Sequence, residues 1–194
     1  MKQEEKVIYF VTGNNYKFNE VSELFEKESV NYILMQKDLN PIEIQADSIK
    51  DVATYKLNSI KSEIKSSFFI EDAGFFVDNP LKGFPGVYSS YVLNTIGNEG
   101  ILKLIDDFNL SKAQFIAVIA LYFKPLDKII YFNGIVKGKV SNRIRGKGGF
   151  GFDPIFIPDL IPNKTFAELS TIEKNKISHR GQALKKLIKF LKEY

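Results

Sequence analysis

The sequence predicts one domain with a mixed β-sheet, of α/β or α+β class. Three observations carry this. Short apolar runs alternate with helical stripes in the first part of the chain. Strand-like runs cluster in the second. The 194 residues, 44% hydrophobic and 26% charged, suit one core-bearing domain with room for two lobes.

Taken in order, Val7 to Val11 is a continuous apolar run that reads as a buried strand. It breaks at Thr12-Gly13-Asn14-Asn15, and Phe18, Val21, Leu24 and Phe25 then share one face of a helix. A second strand is expected near Tyr32 to Met35, and a loop over Pro41 to Asp47. Ser48 caps a helix whose stripe is Ile49, Val52, Ala53, Leu57, Ile60 and Ile64. A strand at Phe68 to Ile70 is expected to end at Glu71-Asp72, and Asn79 to Gly86 reads as loop. A helix follows from about Glu99 to Phe108. Strands are expected at Gln114 to Phe123, Lys128 to Phe132 and Ile155 to Ile157, with a glycine-rich loop over Gly146 to Asp153. Thr165-x-x-Glu168 and Ser170-x-x-Glu173 both fit a capping box. The last helix starts near Ser178, buries Leu184, Leu187, Ile188 and Leu191, and shows lysines at 185, 186, 189 and 192.

Composition excludes several chemistries. With no cysteine there is no disulfide framework, thiol nucleophile or thiolate metal site. The single histidine, His179, excludes a multi-histidine zinc site. The longest apolar run, Phe115 to Phe123, is too short to span a bilayer, and residues 1–15 show no signal peptide. The expectation is a soluble cytoplasmic protein that does not engage membranes.

Charge is divided along the chain. Residues 1–100 hold 10 Lys+Arg against 15 Asp+Glu, and residues 101–194 hold 17 against 8. An acidic and a basic half suit a phosphate–metal ligand, since carboxylates hold divalent cations and Lys/Arg hold phosphate oxygens. Nucleic-acid contact, or chance, would leave the same asymmetry.

Several short stretches carry chemical potential. Thr12 to Lys17 joins a strand to a helix, so backbone N–H groups and Lys17 are available to an anion there, although any N-capped turn looks similar. It lacks the second glycine and the Lys-Ser/Thr pair of a Walker A loop. Glu71 and Asp72 are adjacent, so in a strand they point to opposite faces. Magnesium commonly uses one or two carboxylates plus phosphates, and Glu43 is a candidate second ligand. Lys56 falls on the apolar stripe of its helix and either snorkels or points into a cleft; snorkelling is the favoured expectation. Gly146-Lys147-Gly148-Gly149-Phe150-Gly151 matches G-x-G-x-x-G but runs into Phe152-Asp153-Pro154 and a strand, which excludes a dinucleotide fold. Its two exposed-looking phenylalanines could stack on a base or fill a core gap. Lys174, His179 and Arg180 precede or open the last helix, where the helix dipole disfavours cations. An anionic or hydrogen-bond-accepting ligand would offset that cost.

Together TGNNYK (12–17), EDAGFFVDNPLKGFPGVYSS (71–90), GGFGFDPIF (148–156) and TFAELSTIEKNKISHRGQAL (165–184) resemble the HAM1-type inosine triphosphate pyrophosphatases, which act on non-canonical purine nucleotides. The resemblance implies an α/β fold with a mixed, elongated sheet flanked by helices, and two lobes around a central active-site cleft. It implies Mg²⁺-dependent hydrolysis of ITP, dITP and XTP to monophosphate and pyrophosphate, by a homodimer that binds no nucleic acid. By position, Thr12, Gly13, Asn14, Asn15, Tyr16 and Lys17 would bind substrate, with Lys17 on the triphosphate. Glu43 and Asp72 would hold magnesium, and Asp72 would also accept a proton. Ala73 stands where the family commonly has Ser or Thr, which leaves a backbone N–H in place of a hydroxyl. Phe150, Gly151, Phe152 and Asp153 would line the base pocket, and Lys174, His179 and Arg180 would complete the base and phosphate contacts. Two alternatives are a Maf-like pyrophosphatase acting on modified pyrimidine triphosphates and a nucleic-acid-binding module.

Overall fold

A computed structural model describes residues 6–109 and 111–194. The described strands form one mixed sheet in the order β2-β1-β3-β5-β6-β7, with β4 paired to β3. These are β1 (Val7–Val11), β2 (Ile33–Lys37), β3 (Ser67–Val77), β4 (Pro85–Gly86), β5 (Lys112–Phe123), β6 (Lys128–Val140) and β7 (Phe156–Pro158). Strand β1 pairs in parallel with β2 and β3, whereas β3–β4 and β6–β7 are antiparallel. The expectation of a mixed α/β sheet therefore holds.

The chain divides into two compact units. The first takes the chain to Asp72, then Val118–Asn133 and Ala183–Tyr194; the second takes Ala73–Ala117 and Gly134–Gln182.

In the first unit, helices α1 (Asn15–Lys27) and α2 (Ile49–Ile60) form where their stripes predicted them. Ser48 caps α2 by accepting a hydrogen bond from Asp51 N–H. Helix α1 buries Val21, Leu24 and Phe25. The Phe10 and Phe69 rings of β1 and β3 stack 4.6 Å apart, and Phe25 lies parallel to Phe69 at 6.5 Å. The last helix, α6 (His179–Lys192), buries Leu184, Leu187, Ile188 and Leu191, as expected. Its Lys192 pairs with Glu28 at 3.0 Å.

The core of the second unit is aromatic. Phe75, Phe115, Phe152, Phe156 and Phe166 pack with Val77, Val92, Ile101, Val136, Val140 and Ile155. Here the structure departs from the expected elements. Instead of one helix from Glu99 to Phe108 there are two short ones, α3 (Ser89–Thr95) and α4 (Gly97–Lys103). Gly97, at φ +64°, interrupts what would otherwise be one helix. Strand β3 does not stop at Glu71-Asp72 but continues to Val77, and Pro85–Gly86 in the expected loop pairs with it. Strand β6 extends to Val140, with Gly134, Val136, Gly138 and Val140 buried and the residues between them exposed. A Cβ on Gly138 would stand 2.1 Å from the Ile157 carbonyl oxygen, so only glycine lets β7 lie alongside. Both capping boxes form, and the second opens a separate helix, α5 (Thr171–Ile177). No described helix is long and apolar enough to cross a membrane.

Candidate active site

The predicted residues of the first unit lie in the turn from β1 to α1, midway along β3 and, for Glu43, in the loop before α2. After β1 the chain turns through Thr12 and Gly13, and Thr12 N–H donates to Lys37 O at 2.9 Å. Asn14 caps α1: its Oδ1 accepts from Lys17 N–H at 3.1 Å, while its own N–H donates to Thr12 Oγ1. The first turn of α1 holds no acidic residue, but the Asp38 carboxylate lies against Gly13 just before the helix starts. Asn14, Asn15 and Tyr16 are exposed, and Thr12 and Lys17 are half-buried. Gln36, which sequence reasoning missed, braces this turn by donating to Thr12 O at 3.0 Å and Asn15 Oδ1 at 3.2 Å. Its only signal is a polar side chain paired in register with Phe10 of the buried strand β1.

Glu71 and Asp72 follow the alternation of a strand and engage different lysines. Glu71, with no side-chain exposure, pairs with Lys17 Nζ at 2.8 Å, and Lys17 also donates to the Glu71 carbonyl. Lys17 is thus committed to a buried carboxylate. Asp72, on the other face, accepts from Lys56 Nζ at 2.9 Å, and the same ammonium reaches Glu43 Oε1 at 2.6 Å. The snorkelling expectation for Lys56 is therefore wrong: its side chain is 15% exposed and its ammonium is held by two carboxylates. Burial alone would push the Lys56 ammonium down, but the charge of Asp72 and the hydrogen bonds that the ammonium donates to Glu43 and Asp72 outweigh burial and raise it above 10.5.

Glu43 and Asp72 offer hard oxygen donors of the kind magnesium prefers, and the Lys56 ammonium shows that they already hold a cation between them. Among the described residues no group of three or more acidic or histidine side chains gathers. A divalent cation here would rest on these two carboxylates and on oxygens from its ligand.

The predicted residues of the second unit gather around the glycine-rich loop and the α5–α6 junction. Lys174 and Asp153 are both buried and pair at 2.6 Å. Asp153 also accepts from Phe150 N–H at 2.8 Å, which closes the loop on itself. Gly149, at φ +67°, admits this closure: a Cβ there would stand 2.2 Å from Asp153 Oδ2. Phe150 is half-buried, with Lys174 Nζ 4.8 Å and Arg180 Cζ 5.1 Å from its ring centre. Of the two readings left open for the loop phenylalanines, base stacking or core filling, Phe152 takes the second. It is 3% exposed and stacks on Phe75 at 5.0 Å within the core. His179 lies flat on Phe115 at 4.6 Å, and Arg180 is 2% exposed. Lys174 does not crowd the start of α6. It sits in the last turn of α5, where the dipole favours a cation, and only His179 and Arg180 open α6. Ala73, half-buried in β3, belongs to this unit.

The chain is similar to known proteins over nearly its whole length. The profile of the Ham1 family matches residues 8–190. A Thermococcus kodakarensis protein named dITP/XTP pyrophosphatase is 47% identical over 184 residues, 95% of this chain and 96% of that one. A Pyrococcus horikoshii protein of the same name is 43% identical over 185 residues, with 95% and 96% covered. Among solved structures, the Staphylococcus aureus Ham1 protein matches with a TM-score of 0.80 at 28% identity, over 97% of this chain and 99% of that one.

Proposed function

The chain belongs to the Ham1 family, and we propose that it is a nucleoside triphosphate pyrophosphatase that splits ITP, dITP and XTP into monophosphate and pyrophosphate. The observation that carries this reading is near full-length similarity to relatives named dITP/XTP pyrophosphatase, at up to 47% identity.

Glu43 and Asp72 would hold Mg²⁺, which when bound polarises phosphate oxygens as a Lewis acid. Asp72 also accepts the proton of the water that attacks the α-phosphorus. The new P–O bond forms to that water oxygen, and the bond to the bridging oxygen of pyrophosphate breaks. Thr12 to Tyr16 would line the phosphate site, with the Gly13 and Asn15 N–H groups as donors, and Lys17 would add the ammonium proton that its two contacts to Glu71 leave over; cations stabilise charge developing on the leaving group. Ala73 contributes only through its backbone. In the second unit, Phe150 offers a ring to the base, Gly151, Phe152 and Asp153 shape the loop that carries it, and Lys174, His179 and Arg180 supply donors. Donors aimed at a 6-oxo group bind inosine and xanthosine, whereas a 6-amino group would set hydrogens against them.

In the cell such an activity clears non-canonical purines from the nucleotide pool. The reading includes a single functional domain, since β3, β5, β6 and α6 each contribute residues to both units. It also includes a cytoplasmic homodimer that binds neither membranes nor nucleic acid. Pyrophosphate release from ITP, XTP, ATP and GTP, with and without Mg²⁺, tests it: ITP and XTP are cleaved with Mg²⁺ only, and ATP at least about a hundredfold less efficiently. Equal kcat/KM for ATP and ITP contradicts the specificity, and no release from any purine overturns the function.

A further inference from the structure

The loop over Gly146 to Asp153 contains two phenylalanines with opposite fates. Phe152 is anchored in the core against Phe75. Phe150, two residues earlier, lies half-buried under the cations of Lys174 and Arg180. The residue between them, Gly151, has φ +66°, a conformation that side chains rarely adopt. Phe150 is held on one side by the bond from its N–H to Asp153, and on the other the Gly151 peptide sets the path of the chain to its anchored neighbour.

That peptide is held from α4. Asn98 Nδ2 donates to the Gly151 carbonyl at 3.1 Å. The carboxamide cannot turn over, because its oxygen would then face the carbonyl oxygen. In this orientation Asn98 Oδ1 is buried and has no hydrogen-bond partner among the described residues. A buried acceptor without a partner costs stability, and native proteins keep few of them. Alanine here would remove that cost and lose only the bond to Gly151.

We propose that Asn98 is a positioning residue: its single hydrogen bond fixes the Gly151 peptide and thereby sets the Phe150 ring for the base. The inference rests on the proposed function for the role of Phe150, and on the Asn98–Gly151 contact alone for the latch.

Two variants remove the donor, Asn98→Ala and, at unchanged size, Asn98→Asp. Both raise KM for ITP about fivefold, the value of one hydrogen bond, with kcat within about twofold of wild type. In a Phe150→Ala background Asn98→Ala adds nothing further to KM, because the ring it positions is gone. Hydrogen exchange at the amides of residues 148–152 speeds up in Asn98→Ala without substrate. An unchanged KM, or the same KM rise with and without Phe150, overturns the proposal while leaving the pyrophosphatase reading intact. Unchanged loop exchange overturns the latch itself. Failure of both variants to fold assigns Asn98 a structural role and overturns the proposal. A wild-type protein that releases no pyrophosphate from ITP overturns both readings.

Discussion

Lys56 Nζ stands 2.9 Å from Asp72 Oδ2, and it holds Glu43 with the same ammonium. Two carboxylates that would serve a divalent cation thus already share a cation belonging to the protein. Removing it leaves more negative charge for a metal to neutralise. Lys56→Met is expected to bind Mn²⁺, measured by electron paramagnetic resonance without nucleotide, about tenfold more tightly than wild type. Stripping metal with EDTA should lower its Tm more than that of wild type. Equal Mn²⁺ affinity in the two proteins would show that the ammonium does not compete for the site.

The same pairing has a signature at high pH. The folded protein holds the Lys56 ammonium above 10.5, so the group binds its proton more tightly folded than unfolded. Its stabilisation is complete below the unfolded value and is lost as pH rises through the folded one. The stability difference between wild type and Lys56→Met, followed by urea unfolding of metal-free protein, should stay level from about pH 7 to about pH 10 and shrink above 10.5. A difference that grows with pH contradicts the assignment.

Lys17 and Glu71 form the buried counterpart of that pair. Lys17→Met takes a cation from a carboxylate with no side-chain exposure and should cost about 3 kcal/mol in urea unfolding. Adding Glu71→Gln should recover much of the loss. Additive losses in the double variant would show that the two side chains do not stabilise one another.

What the sequence revealed and what it concealed divide along the distance between partners. Ser48 and both capping boxes were legible because donor and acceptor lie three residues apart. The alternation that separates Glu71 from Asp72 is equally local. Lys17–Glu71 spans 54 residues and Lys56–Asp72 spans 16, and nothing in either segment names its partner. Helix α3 escaped notice because its seven residues have no side-chain cap and are too few to show a stripe. The far half of β6 was concealed by its glycines, whose buried positions carry no apolar side chain. Phe150 and Phe152 look alike in sequence, and only the packing around Phe75 separates them.

That separation is itself measurable. Phe152→Ala opens a cavity in the aromatic core and should destabilise the protein by about 3–5 kcal/mol in urea unfolding. Phe150→Ala, from a half-buried site, should cost well under half as much while raising KM for ITP. Equal destabilisation by the two substitutions contradicts the assignment of Phe152 to the core and Phe150 to the ligand.

The capping boxes predict an acid-side effect. Hydrogen bonds from the Thr165 backbone to Glu168 and from the Ser170 backbone to Glu173 hold both carboxyls below 4.5. A lowered folded value means stability present above 4.5 and lost as pH falls through the folded value. Glu168→Gln combined with Glu173→Gln should therefore be less stable than wild type at about pH 7 and equal to it at about pH 2. A gap in thermal unfolding that persists at the acid end would contradict this.

The proposed chemistry converges on Asp72, which would serve both cation and proton. The direct measurement is the rate of pyrophosphate release from ITP with Mg²⁺ by Asp72→Asn, set against wild type, with folding checked by thermal unfolding. A folded variant should lose at least about a hundredfold in kcat. A folded variant that turns over ITP at the wild-type rate contradicts the account.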